Sequence, residues 1–282
     1  MKIVRTIPEA RAAVAALRVQ RRSLGLVPTM GALHDGHISL VRAAKADCDA
    51  VAVTIFVNPT QFAPSEDFSK YPRTFEDDCR LLEAENVDVL FAPDSTEMYP
   101  AGANTWVEVE GIQDRLDGAS RPGHFRGVTT IVAKLFHIFA PDQAFFGQKD
   151  AAQVAVLRRM VRDLHFNLEM VVCPTVREPD GLAMSSRNRY LSPEDRRSAL
   201  VLSRALHAVE AQMQAGEKNA APLIDTGLRV LAEEPSVRMD YFRIVDPETL
   251  ADLPDVGNGG LVAVAAFVGP ARLIDNLLIP AP

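Results

Sequence analysis

The stretch Leu24–Leu40, LGLVPTMGALHDGHISL, limits the folds open to this chain more than any other. Leu24 to Val27 is an apolar run of strand length, Gly31 and Gly36 punctuate a turn, and a helix is predicted to open at about Gly36 and His37. A strand that feeds a helix N-terminus through glycines lets backbone come close to a phosphate, and the N–H groups and positive dipole end of the helix favour the anion. His34 and His37 flank that junction. Imidazoles there can donate hydrogen bonds to a phosphoryl group whose charge grows in a transition state. Two histidines at this spacing also fit a surface pair or a coincidental metal pair, so the rest of the chain has to decide.

A chain of 282 residues holds one large domain or two, and 48% hydrophobic with 24% charged residues is the balance of an ordinary globular protein. Thirty Lys and Arg against 37 Asp and Glu leave a net charge of -7, so a nucleic acid would need a concentrated basic patch. The nearest candidate, Arg158, Arg159 and Arg162, has the spacing of a solvated helix face, and no nucleic-acid partner is expected. Cys48, Cys79 and Cys173 lie far apart without any Cys-x-x-Cys pair, which speaks against a disulfide framework and a zinc site. The first residues alternate in charge, and the longest clean apolar run, Leu261 to Val268, falls far short of the ~18 residues of a membrane span. The expectation is a cytoplasmic protein with no membrane partner.

Taken in order, residues 8 to 20 carry helical apolar spacing. Ala50 to Val57 is a continuous β-branched run that predicts a strand buried on both faces, as in a parallel sheet. It ends at Asn58-Pro59-Thr60-Gln61-Phe62, and polar groups just past the carboxyl end of a buried strand are where open α/β sheets hold ligands. Asn58 and Gln61 are therefore binding candidates, although Asn-Pro also makes a turn by itself. A helix over about Phe75 to Glu85 has Asp77 and Asp78 in its first turn, where acidic residues suit the dipole. Short strands are predicted at Val87–Phe91 and Thr105–Val109, and a glycine-punctuated loop, Arg121 to Val128, leads into a helix over Val128–Phe139. Arg121 is the one residue of that loop taken as a pocket candidate.

The strand-glycine-helix plan then recurs. Ala144 to Phe146 reads as a strand, Gly147-Gln148-Lys149-Asp150 as its exit, and a helix starts near Asp150. Lys149 is placed to meet polyphosphate, Asp150 is a ligand contact or a helix cap, and Gln153 lies one turn along facing the same crevice. After a strand at Leu168–Val172 that runs on towards Val176, the loop Met184-Ser185-Ser186-Arg187 offers two hydroxyls and a guanidinium as a clamp for outer phosphates, or forms an ordinary surface loop before an N-cap at Ser192. Helices over about 193–214 and 220–233 and three short strands follow. The fold expected is α/β: a parallel-sheet domain over 1–180, and a smaller C-terminal α+β domain over 181–282 that caps the site.

No Gly-x-x-x-x-Gly-Lys-Ser/Thr loop, kinase signature or Gly-x-Gly-x-x-Gly motif is present, so phosphate binding would rest on the histidine turn, Lys149 and the Ser-Ser-Arg loop. That combination resembles the HxGH nucleotidyltransferase superfamily. Six blocks narrow the resemblance: Pro28 to His37, Phe56 to Phe62, Tyr71-Pro72-Arg73, Arg121 to Phe125, Phe146 to Asp150 and Met184 to Asn188. As a set they resemble the pantothenate synthetase family, the AMP-forming pantoate:β-alanine ligases. The resemblance implies a Rossmann-like nucleotidyltransferase domain, ATP as substrate with Mg²⁺, pantoate and β-alanine as the other substrates, and a homodimer. It implies that pantoate attacks the α-phosphorus of ATP to give pantoyl adenylate, which β-alanine then converts to pantothenate.

By the same resemblance Met30, Gly31, Ala32, Leu33, His34, Asp35, Gly36 and His37 lie along ATP, as do Gly147, Gln148, Lys149, Asp150, Met184, Ser185, Ser186 and Arg187, with Val176 near the adenine. His37, His34 and Lys149 would be catalytic, with His37 the family's proton donor, whereas the physical reading of the residues has both histidines stabilising charge on the α-phosphoryl group. Gln61, Gln153, Asn58 and Arg121 would bind the acid substrates, and Asp77 and Asp78 the magnesium. Two other readings compete: nucleotidyl transfer to a phosphorylated alcohol, against which the Asn-Pro-Thr-Gln-Phe and Gly-Gln-Lys-Asp blocks speak, and a non-catalytic nucleotide-binding module, against which both histidines, Lys149 and Arg187 speak.

Overall fold

The computed structural model describes residues 1–19, 22–64 and 66–281. In chain order the first two thirds contain β1 (Lys2–Val4), α1 (Ile7–Val19), β2 (Leu24–Thr29), α2 (Asp35–Asp47), β3 (Ala50–Ile55), α3 (Phe75–Ala84), β4 (Val89–Phe91), the short α4 (Ser95–Met98) and α5 (Asp117–Ser120), α6 (His124–Phe139), β5 (Gln143–Gly147), α7 (Ala151–Asp163) and β6 (Glu169–Cys173). The remainder contains α8 (Pro193–Gln214), α9 (Ala220–Leu231), β7 (Arg238–Val245), β8 (Gly260–Val268) and β9 (Ala271–Ile279). The first predicted helix extends to residue 20, which lies outside the described residues.

Strands β1 to β6 form one parallel sheet in the order β1-β4-β3-β2-β5-β6. Period-two alternation divides its residues between two cores. Leu24, Leu26, Ala50, Ala52, Val89 and Phe91 face α1, α6 and α7, whereas Val27, Val51, Val53, Leu90 and Phe145 face α2 and Leu82 of α3. Both faces are covered, which is why these strands read as unbroken apolar runs. Each fully buried Leu, Val or Phe contributes up to about 1.5–3 kcal/mol.

The chain order reverses at β2, whose neighbours are β3 and β5. Strand β2 pairs with β3 along its whole length, from Leu24 with Ala50 to Thr29 with Ile55, but pairs with β5 only through Gly25 with Gln143 and Leu26 with Ala144. Pro28, with no N–H, follows the last of those pairs. The carboxyl ends of β2 and β5 therefore part, at the switch point where open α/β sheets hold ligands.

Strands β7, β8 and β9 form an antiparallel sheet. Val262, Val264, Ala266 and Val268 of β8 pack under α8 and α9, while Leu261 and Ala263, on the other pleat, join Val245 and Leu250 in the core shared with α6 and α7. The α/β expectation thus holds, with the smaller sheet docked on the larger unit through one of its faces.

Two predicted elements differ. Thr105–Val109 is not a strand: the Val107 N–H donates to Thr130 Oγ1 (3.0 Å), its carbonyl accepts from Thr129 Oγ1 (2.6 Å), and the Val109 N–H donates to Gln113 Oε1 (3.2 Å). Side chains satisfy the backbone that a sheet neighbour would have satisfied. In this segment Trp106 stacks on Tyr99 with ring centroids 6.4 Å apart, and the Arg126 guanidinium lies 4.4 Å from the indole centroid. The second difference is α6, which starts at His124 after the left-handed Gly123 (φ 80°), so part of the expected loop is its first turn.

Candidate active site

Helix α2 begins where β2 ends. His34 is its N-cap, with Nδ1 accepting from the Gly36 N–H at 3.2 Å. That bond fixes the tautomer of the neutral ring: the proton sits on Nε2, leaving a donor for a ligand. The His37 ring lies 4.1 Å from that of His34, centroid to centroid, and its Nδ1 is buried without a partner among the described residues. Burial, followed by the Lys149 charge, pushes the His34 imidazole down to about 4. Burial, followed by His34 and Lys149, holds His37 well below the usual histidine range. Both rings are neutral at pH 7.

The turn before α2 owes its shape to Asp78. Gly31 (φ 79°) and Ala32 (φ 51°) both take left-handed backbone, and a Cβ on Gly31 would sit 3.0 Å from Asp78 Oδ2. The buried Asp78 carboxylate accepts from the Ala32 N–H (2.9 Å), the Leu33 N–H (2.8 Å) and the Thr74 hydroxyl (3.1 Å). Asp77 is exposed and pairs with Arg80. Of the two magnesium candidates, Asp78 has its carboxylate engaged by backbone N–H groups and Thr74, and Asp77 lies at the surface. Among the described residues no group of three His, Cys, Asp or Glu side chains is placed to hold a metal.

A cavity of about 180 Å³ opens where β2 and β5 part. Val128, Ile131, Val132 and Leu135 of α6 and Phe146 of β5 make its apolar wall, and Met30, His37, Gln61, Asp150, Gln153 and Arg187 bring polar and sulfur groups to it. Gln61 is held from two sides, its Oε1 accepting from Asn58 Nδ2 (3.0 Å) and its Nε2 donating to Met30 Sδ (3.1 Å). Asn58 lines the cavity but its side chain is spent on structure: Nδ2 also donates to the Gly127 carbonyl (3.1 Å), and Oδ1 accepts from Thr60 Oγ1 and Tyr99 Oη, both at 2.9 Å. Within the cavity wall Asn58 thus supports Gln61.

Arg121 is likewise held, donating to both oxygens of Glu66 at 2.6 and 2.8 Å. Its Nη1 also donates to Nε2 of His124 (2.9 Å), whose Nδ1 donates to the Gln61 carbonyl (2.8 Å). Burial, with Arg121 second, pushes His124 down to about 3, which keeps it in this neutral tautomer. His124 lines the cavity and is missed by reading the sequence, although the Arg-Pro-Gly-His block contains it.

Opposite α2, Gln148–Asp150 form a 3₁₀ turn between β5 and α7. Asp150 occupies the N-cap position of α7 without a side-chain cap bond, and its carboxylate lies 3.5 Å from Lys149 Nζ. The Met184–Arg187 segment completes the rim: the Met184 N–H donates to the Val176 carbonyl (3.0 Å), Ser185 Oγ accepts from the Arg187 N–H (3.3 Å), and Ser186 Oγ lies 3.1 Å from Tyr71 Oη. The Arg187 guanidinium is paired with both oxygens of Asp67 at 3.0 Å. The structure thus gathers Met30, His37, Gln61, Asp150, Gln153 and Arg187 around one opening, with Lys149 beside Asp150 and close enough to His34 and His37 for its charge to act on both rings. His34, Gln148, Lys149, Val176, Met184, Ser185 and Ser186 are set back from the cavity wall. No described helix is long and apolar enough to cross a membrane.

Similarity to known proteins runs the length of the chain. The family model described as pantoate-beta-alanine ligase matches residues 2–278. A pantothenate synthetase of Acidobacterium capsulatum is 66% identical over 290 residues, covering 99% of this chain and 97% of its own. Among solved structures, the pantothenate synthetase of Thermus thermophilus superposes with a TM-score of 0.95 at 49% identity, covering 99% of this chain and 100% of its own. The pantoate-beta-alanine ligase of Francisella tularensis, complexed with beta-gamma ATP and beta-alanine, gives a TM-score of 0.80 at 34% identity over 99% of this chain and 97% of its own.

Proposed function

The chain belongs to the pantoate-beta-alanine ligase family, its reaction is the ATP-dependent condensation of pantoate with β-alanine, and we propose that this runs through a pantoyl adenylate formed where β2 and β5 part. The observation that carries the proposal is the meeting, in one cavity, of the apolar α6 wall, the amides of Gln61 and Gln153 and the Nδ1 of His37, which has no partner among the described residues. Pantoate is a carboxylate and two hydroxyls on a gem-dimethyl carbon frame. The wall suits the methyl groups and the amides suit the oxygens.

In the first step a pantoate carboxylate oxygen bonds to the α-phosphorus of ATP as the bond from that phosphorus to the bridging oxygen breaks, releasing pyrophosphate. Charge accumulates on the α-phosphoryl oxygens, beside the Nε2–H of His34 and the neutral ring of His37. Neutral imidazoles act here as hydrogen-bond donors. Lys149 and Arg187 meet the leaving pyrophosphate, Arg187 exchanging Asp67 for phosphate oxygens. In the second step the free amine of β-alanine bonds to the acyl carbon, the bond from that carbon to the phosphate oxygen breaks, AMP leaves, and the nitrogen loses a proton as it becomes an amide.

Magnesium is assigned to the substrate. With Asp78 committed to backbone and Asp77 on the surface, the donors among the described residues fit no all-protein site, and a hard cation suits the phosphate oxygens of ATP with Asp150 as the nearby carboxylate. The same reading carries a homodimer, a cytoplasmic location, and two domains meeting near residue 180, the smaller closing over the larger.

The test is pantoate-dependent exchange of labelled pyrophosphate into ATP with β-alanine left out. The wild-type chain should exchange, and His37→Ala should lose roughly a hundredfold or more, the size of losing a preorganised transition-state donor. Exchange that ignores pantoate, or survives in His37→Ala, would sink the adenylate at this site.

A further inference from the structure

We propose that Asn276, on β9 of the smaller sheet, is a positioning residue that aims Lys149 at the phosphates of ATP; the inference rests on the ligase reading above. Asn276 is 6% exposed and its amide is fully engaged. Nδ2 donates to the carbonyls of Gln148 (3.0 Å) and Lys149 (2.9 Å), and Oδ1 accepts from Gln148 Nε2 (3.0 Å). The two carbonyls belong to the peptide units on either side of the Lys149 Cα. Anchoring both fixes the direction in which the Lys149 side chain leaves the backbone.

The preceding residue makes the matching contact to the other phosphate arm. Asp275, 3% exposed, accepts from Arg177 Nη1 (2.7 Å) and Nη2 (3.0 Å), and Arg177 Nη1 also donates to the Gly181 carbonyl (3.1 Å). That segment leads directly to Met184–Arg187. Successive residues of a strand point to opposite faces. One step along β9 therefore ties the Gln148–Lys149 turn and the approach to the Ser-Ser-Arg loop, and the register of β9 on β8, Asp275 with Val264 and Asn276 with Ala263, sets their spacing.

The two half-reactions separate positioning from mere support. Lys149 serves the departure of pyrophosphate, so a misdirected Lys149 harms adenylation and leaves aminolysis alone. In Asn276→Ala, pantoate-dependent pyrophosphate exchange should fall roughly thirtyfold with a raised KM for ATP, the combined size of two ordinary net hydrogen bonds. The same variant given chemically prepared pantoyl adenylate and β-alanine should make pantothenate at the wild-type rate. Asn276→Asp, which sets a carboxylate against two carbonyls, should lose more of the exchange and again none of the aminolysis. Equal loss in both half-reactions, unchanged exchange, or failure of both variants to fold would overturn the proposal by making Asn276 structural or irrelevant. A wild-type chain that shows no exchange at all would instead overturn the ligase reading, and this one with it.

Discussion

His34 divides its work between its two ring nitrogens. Nδ1 terminates α2 and, by accepting from the Gly36 N–H, leaves the proton on the nitrogen that a phosphate would meet. This requires a ring that stays neutral, and His124 meets the same requirement by donating from Nδ1 and accepting at Nε2. Such rings make stability depend on pH with a definite sign. An unfolded histidine takes up its proton near pH 6.5, whereas His34 waits until about 4 and His124 until about 3. Between pH 6.5 and about 4 the unfolded chain binds protons that the folded chain refuses, so stability rises with pH across that window and is lost as pH falls. Thermal melts at a series of pH values should show the melting temperature dropping from pH 6.5 towards 4, with a shallower slope in His124→Gln. An identical slope in that variant would remove His124 from the account.

At the scale of elements, α6 is pressed against the Asn58–Gln61 turn at a place where only glycine fits. A Cβ on Gly127 would lie 2.5 Å from the Thr60 carbonyl oxygen, and the Gly127 carbonyl itself accepts from Asn58 Nδ2. Gly127→Ala must separate the helix from the turn that carries Gln61, at a cost of about 1–3 kcal/mol typical of overpacking. The expected outcome is a lower urea midpoint together with a raised KM for pantoate; an unchanged KM would mean that the turn moves with the helix. None of this closeness can be read in the sequence, where Gly127 is one more glycine in a loop. What is legible there comes from patterns that physics enforces locally: runs apolar on both faces for β3 and β5, the glycine turn after β2, the serine cap of α8, whose Ser192 Oγ does accept from the Asp195 N–H. What is not legible depends on partners distant in sequence. Asp78 reads as a dipole residue or a metal ligand until its carboxylate meets the Ala32 and Leu33 amides, and Asn276 has no local signal at all.

Across the whole molecule the smaller sheet is more than an appendage. Leu261 and Ala263 contribute to the same core as α6 and α7, and Arg272 spans the junction, donating to Asp117 (2.7 Å) and Asp240 (2.7 Å). Breaking that junction would expose apolar surface and strand a half-buried guanidinium, so the two parts should unfold together. Calorimetry should give one transition with calorimetric and van't Hoff enthalpies that agree; two resolved transitions would show the junction to be weak. The packing around the indole has a consequence for how such a chain can be watched. Trp106 is the only tryptophan, it stacks on Tyr99, and the Tyr99 hydroxyl donates to the asparagine that holds Gln61. The molecule therefore carries its own chromophore one relay away from the cavity, and filling of that cavity has a path to an optical signal that needs no label.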